Sequence, residues 1–415
     1  MTRRRIIGLA GCLTAVIVVL ALALTLGGGS KGHAVPEGGS GYGAGAGTVT
    51  ARRGTGLMDA LAPVLEADGG GASTSAPATT STTASAPPAG GLPASQARAA
   101  ARLFLVGLGG TRARGNVLRR FALHEWGGVV LEPGNGRSPQ QVADLIGAIQ
   151  GAARGAHHVA PIIAASQLGG DLDAVPVGAP PQAAAADAAG ARAAALGEAK
   201  ALHPLGIRMV LAPDADIAFA GGPWEGLAFS DDPATATGMV SAAVSGWKDG
   251  EVAPAPGHFP GEGAASGDPA LEAATVGLSL AELKARDLEP FAAVAKHAPA
   301  IQLSSATYVA FDGVTPATLL PEVVALLRGE LGFDGVIVSG DLAAASLAGG
   351  APVADLAVQA IKAGVDLAWI PGDAADQDAA WRAVVRALRT GEIPTSRVAD
   401  ALRRVSALRA AYGVR

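Results

Sequence analysis

Eight short apolar runs alternate with stretches bearing helix-start signals, which predicts an α/β fold: a TIM-like (β/α)8 barrel over residues 93–415. The helix starts fall between the runs, in the register that a parallel barrel needs. Two of the runs, Val252–Pro256 and Gly335–Ser339, open onto polar, glycine-bearing tips, the place where such a barrel carries its functional loops.

In chain order the candidate strands are Arg102–Gly107, Gly128–Leu131, Pro161–Ala165, Arg208–Ala212, Val252–Pro256, Ile301–Ser304, Gly335–Ser339 and Asp366–Ile370. Ser138-Pro139 with Gln141 reads as an N-cap, a proline in the first turn and a capping-box partner. Ser279 with Glu282 repeats the box before a helix over Leu283–Ala295, and Asp232-Pro233 starts another. Two amphipathic helices, near Ala375–Leu388 and Thr395–Ala411, end the chain. No internal repeat exists beyond this alternation, so 93–415 reads as a single globular domain.

The residues before the barrel have a different character. Three arginines in Met1–Arg5 precede a charge-free run from Ile6 to Leu26. At ~1.5 Å per residue that run spans about 31 Å, a bilayer core. It is longer than the usual apolar centre of a cleaved signal. Residues 1–27 therefore read as a transmembrane anchor with the arginines inside; cleavage and secretion is the alternative. Residues 28–92, rich in Gly, Ser, Thr, Pro and Ala, bury too little apolar surface to order themselves and read as a linker. A short helical pattern lies within it at 56–67. The expected location is the cell membrane, single-pass, with the C-terminal domain outside.

Composition narrows the chemistry. The net charge is -5, and no basic patch interleaved with aromatics appears, which argues against nucleic acid as a partner. The single cysteine, Cys12, excludes an intrachain disulfide and a cysteine metal cluster. The seven histidines lack H-x-x-x-H spacing, so no metal or other cofactor is expected.

Two stretches carry the candidate chemistry: Gly257-His258-Phe259-Pro260-Gly261-Glu262-Gly263, and the run from Gly332-Phe333-Asp334-Gly335 to Ser339-Gly340-Asp341-Leu342. They resemble the K-H-F-P-G-H-G and G-F-D-G-V-x-x-S-D-D-L signatures of glycoside hydrolase family 3, in its bacterial β-N-acetylglucosaminidase branch. The resemblance covers the barrel region and implies hydrolysis of β-linked N-acetylglucosamine from cell-wall glycans. It also implies a nucleophile at the first Asp of S-D-D-L, which here is Gly340. The acid/base His of the family's D-S-H triplet falls on Ala270 in Asp268-Pro269-Ala270. The family's Lys before the His is Gly257, its second turn His is Glu262, and the Arg of R-S-F-G-S-D-P falls on Leu227. Its D-Q-E-G-G segment reads Ser166-Gln167-Leu168-Gly169-Gly170, and its A-H segment reads Ser304-Ser305.

What the resemblance implies is thus a barrel that has kept its frame and lost its chemistry. His258 and Asp216 remain as candidate substrate-binding residues. Asp341, Asp268 and Glu262 are the weak catalytic candidates, Asp341 as a relocated nucleophile with Glu262 or Asp268 as acid. A duller role is available for several of them. Glu262, in a glycine turn, is expected to be solvated, and Asp216 to cap its own loop. Asp334 precedes its strand, on the stability face. Trp224 and Trp369 sit near the expected mouth, where Trp224 could stack on a sugar and Trp369 is expected to pack in the core. The implied partner is a cell-wall glycan or muropeptide, or an envelope protein.

Overall fold

The computed structural model describes residues 94–415, which belong to one unit of the chain, Thr83–Arg415. The anchor at 1–27, Cys12, the pattern at 56–67 and the linker at 28–92 lie outside the described residues. Among the described residues no single helix is long and apolar enough to cross a membrane.

The strands are β1 Phe104–Val106, β2 Gly128–Leu131, β3 Ile162–Ser166, β4 Met209–Leu211, β5 Ala253–Pro254, β6 Thr275–Val276, β7 Ala300–Gln302, β8 Thr307–Tyr308, β9 Val336–Val338 and β10 Ala368–Ile370. Six of them pair in the order β10–β1–β2–β3–β4–β5, every pair parallel. β7 and β9 form a second parallel pair. Backbone bonds just beyond the strand ends join the two groups into a ring: Gln302 N donates to Pro256 O at 3.0 Å, and Ser339 N to Leu367 O at 2.9 Å. β6 and β8 pair outside that ring. Each of the eight predicted runs contains or overlaps one ring strand.

Both faces of every ring strand are buried, so the runs are continuously apolar, yet their side chains still alternate. Leu105, Val130, Ile162, Ala164, Met209, Leu211, Val336 and Val338 fill the ring. Their neighbours Phe104, Val106, Val129, Leu131, Ile163, Val210 and Ile337 face the surrounding helices. The last helix, Thr395–Ala411, sends Val405 and Leu408 into the inner cluster and closes the N-terminal end of the ring.

Helix starts follow local chemistry. The Ser279 hydroxyl accepts from Glu282 N while Glu282 accepts from Ser279 N, a complete capping box. Asp232 accepts from Thr235 N at 2.8 Å. The box expected at Ser138 is half present: the hydroxyl accepts from Gln141 N, but the Gln141 side chain reaches back to Arg137 N instead. The helix expected over Leu283–Ala295 is broken into Leu280–Ala285 and Glu289–Val294. Pro290 is the reason, because its ring excludes a helical carbonyl at position 286 and its nitrogen carries no proton.

Candidate functional site

The side chains at issue leave the C-terminal ends of β4, β5, β7 and β9. Asp216 is the hub. Its Oδ1 accepts from Glu262 N at 2.6 Å, and its Oδ2 accepts from His258 N at 3.3 Å and lies 2.8 Å from His258 Nδ1. His258 Nδ1 is also 3.2 Å from Glu262 Oε1. The Ser304 hydroxyl donates to the other Glu262 oxygen, and Tyr308 OH donates to Gly261 O at 3.1 Å. Asp214 accepts from Asp216 N through Oδ1, whereas its buried Oδ2 has no partner among the described residues. The Trp224 ring stacks on the His258 imidazole, with centroids 5.0 Å apart and planes at 23°.

This packing sets the charges. Burial disfavours a charged His258, but Glu262 and Asp216 outweigh it and raise the imidazole to about 10. Burial lifts Glu262 to about 7, with the His258 charge pulling the other way and Asp216 adding to the rise. Asp214 is pushed well above the usual carboxylate range, by burial and then by Asp216. Glu262 is only 3% exposed. The expectation of a solvated side chain is therefore corrected: the glycine turn folds inward, and Asp216, His258 and Ser304 enclose the carboxyl.

A cavity of about 110 Å³ adjoins this cluster. The positions matched by motif converge on it. Ser166, Leu168, Gly257, His258, Glu262, Asp268, Ala270, Ser305, Gly340 and Asp341 all line it. Asp216 sits behind the wall and Leu227 lies outside the lining. Trp224 and Trp369 both contribute to the wall. Strand alternation turns Trp369 inward, where it packs on the inner core cluster as expected and also faces the cavity.

Gly340, the position expected from the motif to correspond to the family's nucleophile, leaves little room for a side chain. A Cβ added to Gly340 would come within 2.3 Å of Ser305 Oγ, 2.9 Å of Leu303 O and 3.0 Å of Ser305 N. Ser305 Oγ is held there by donating to Asp341 O at 3.0 Å. Asp341 itself caps the helix Leu342–Gly349, its Oδ1 accepting from Ala343 N at 2.7 Å and Ala344 N at 3.0 Å. Burial raises its pKa and these two bonds oppose the rise. Asp268 Oδ1 accepts from Ala270 N at 2.9 Å, which closes a local turn. Asp334, 81% exposed, lies at the far end of the ring beside Arg404.

Some participants escaped sequence reasoning. Asp214 sits in the same segment as Asp216 but gave no signal of its own. Ser304 has a partner 42 residues away. Glu132, directly after β2, is raised to about 7 by burial and by Asp341; a carboxylate ending an apolar strand was the available clue. Asp214, Asp216 and His258 bring ligand atoms within 4.8 Å of one another, a donor set that spacing rules for histidine do not detect.

Comparison with known proteins agrees with the motifs. Residues 106–408 match the family model described as the glycosyl hydrolase family 3 N terminal domain. The chain is 32% identical over 271 residues to a beta-hexosaminidase of Stenotrophomonas maltophilia strain K279a, covering 60% of this chain and 78% of that one. It is 31% identical over 220 residues to beta-hexosaminidase LpqI of Mycobacterium tuberculosis, covering 50% of this chain and 55% of LpqI. Among solved structures, a glycoside hydrolase family 3 beta-N-acetylglucosaminidase from Paenibacillus superposes with a TM-score of 0.73 at 30% identity, over 76% of this chain and 62% of that one. A beta-N-acetylhexosaminidase from Beutenbergia cavernae gives 0.69 at 28% identity, over 76% and 98%.

Proposed function

Because the chain belongs to glycosyl hydrolase family 3, we propose that it is a β-hexosaminidase-like member that binds an amino-sugar glycan at the barrel mouth and does not cleave it. The observation that carries this reading is the closed position at Gly340. Retaining hydrolysis needs a carboxylate on one side of the anomeric carbon and a proton donor on the other. Here the first is a glycine with backbone and hydroxyl oxygens where a side chain would begin, and the second is an alanine. Losing a general acid–base group alone costs roughly 10²–10⁴-fold. What persists is a walled recess with two indoles and several carboxyl groups, which suits binding.

The N-terminal segment supports a membrane-anchored protein with this domain outside, where cell-wall glycan or muropeptide is the available ligand; an envelope protein is the other candidate partner. The test is hydrolysis of an aryl β-N-acetylglucosaminide by the purified full chain. The expected result is no release above buffer, with chito-oligosaccharides still raising the melting temperature. Turnover at ordinary enzyme rates ends the reading.

One observation favours a second reading: Asp341, Glu262 and Asp268 line the same cavity. A hydrolase with relocated groups would use Asp341 as nucleophile and Glu262 or Asp268 as acid. Asp341→Asn would then abolish any turnover found, and retained turnover would exclude Asp341 from that role.

A further inference from the structure

Among the described residues the cavity is lined by four carboxyl groups, those of Asp214, Glu262, Asp268 and Asp341, and by no lysine or arginine. His258 is the one basic side chain that the described residues place in the wall, and it is already engaged by Asp216 and Glu262. Asp214 is 2% exposed, and its Oδ2 meets no donor among the described residues. A buried carboxyl oxygen without a partner carries a desolvation cost that a fitting donor would remove. Trp224 and Trp369 line the same cavity, and their buried indole N–H groups likewise have no partner among the described residues.

Size limits the visitor. A recess of about 110 Å³ is smaller than the ~150 Å³ cavity that accepts benzene. It takes the polar edge of a ring, but little beyond it. An acetamido group is larger and would bring its carbonyl oxygen toward carboxyl groups. An ammonium group is compact, donates three hydrogen bonds and carries the charge that four carboxyl groups lack. A metal ion suits the cluster less well. His258 presents Nδ1 to two carboxylates at 2.8 and 3.2 Å, which favours the imidazolium, and an imidazolium is not a ligand.

The geometry points to a glycan bearing free amino groups, a de-N-acetylated hexosamine, as the preferred ligand of this recess, with its ammonium group beside Asp214. This rests on the glycan-binding reading above and narrows it to one substrate class.

The experiment is a calorimetric titration of the full chain in mild detergent with two β-1,4 tetramers, one of glucosamine and one of N-acetylglucosamine, followed in parallel by tryptophan fluorescence. The glucosamine tetramer is expected to bind at least tenfold more tightly. Asp214→Asn and Asp268→Asn are each expected to remove most of that preference while leaving the circular dichroism spectrum unchanged. Should Asp214→Asn fail to fold, Asp268→Asn decides, because that side chain bonds only its own turn. Equal or tighter binding of the acetylated tetramer overturns the inference while leaving the glycan reading intact. Binding of neither overturns both. A folded Asp268→Asn protein that keeps the full preference also overturns the inference.

Discussion

Asp216 accepts two backbone N–H bonds and holds one imidazole, all from the turn after β5. It thereby fixes His258 and Glu262 relative to each other, and its own carboxylate, behind the wall, is spent on that task. Removing one partner of a buried charged cluster leaves the others uncompensated, at a cost of about 3–5 kcal/mol. Asp216→Ala is expected to lose that much in urea unfolding; a loss below ~1 kcal/mol would show that the turn holds itself. Gly340 offers a complementary test. Gly340→Asp must push Ser305 Oγ aside and also crowd Leu303 O and Ser305 N, so overpacking should cost ~1–3 kcal/mol or more. Ser305→Ala in the same chain relieves only the hydroxyl clash, because the other two atoms are backbone. Neither variant is expected to hydrolyse an aryl β-N-acetylglucosaminide, and appreciable turnover by Gly340→Asp would show that the frame has stayed open.

At the scale of elements, the N-terminal end of the ring is held by Asp366, which precedes β10. Its carboxylate is fully buried and receives Arg328 at 2.7 Å and Arg397 at 2.6 Å, with Arg404 at 3.7 Å. Two of those arginines belong to the helix Thr395–Ala411, so one side chain fastens the last helix beneath the barrel. Asp366→Ala is expected to destabilise by about 3–5 kcal/mol in chemical denaturation. Asp334→Ala, at an exposed pair with the same Arg404, should stay within ~0.5 kcal/mol. Equal effects of the two variants would refute this division of labour. The ring strands and their order of appearance were legible in the sequence because a strand buried on both faces is a continuous apolar run. Caps at Ser279 and Asp232 were legible because their partners are three residues away. The break at Pro290 was equally local, and it shows a proline prevailing over an apolar pattern. Glu262 was misread for the opposite reason. Its enclosure depends on Asp216 and Ser304, each more than forty residues distant, and no pattern around a glycine turn encodes such neighbours.

Over the whole molecule, burial has moved several carboxyl groups the same way. Glu132, Glu262 and Asp287 are raised to about 7, Asp173 to about 6 and Glu198 to about 8, burial being the leading cause in each. Unfolded, these groups titrate near 4. Between pH 5 and 8.5 the folded chain therefore holds protons that the unfolded chain has released, and stability falls as pH rises. His258, raised to about 10, acts with the same sign above its unfolded value. His124, lowered by burial, acts with the opposite sign. Carboxyl groups lowered by hydrogen bonds, such as Asp312 and Asp400, lose their contribution only at more acidic pH. The melting temperature is thus expected to be higher at pH 5 than at pH 8.5, the reverse of ordinary acid denaturation. Glu198 isolates the effect. Its Oε2 has no partner among the described residues, and it lines an apolar cavity of about 210 Å³ beside the helices Ala188–Leu202 and Pro233–Asp249. Glu198→Gln keeps the shape and removes the charge. It should match the native protein at pH 5 and exceed it by ~1–3 kcal/mol at pH 8.5, flattening the profile. A native melting temperature that climbs steadily from pH 5 to 8.5 would mean that these carboxyl groups are ionised in the folded chain, with partners or water that the packing does not provide.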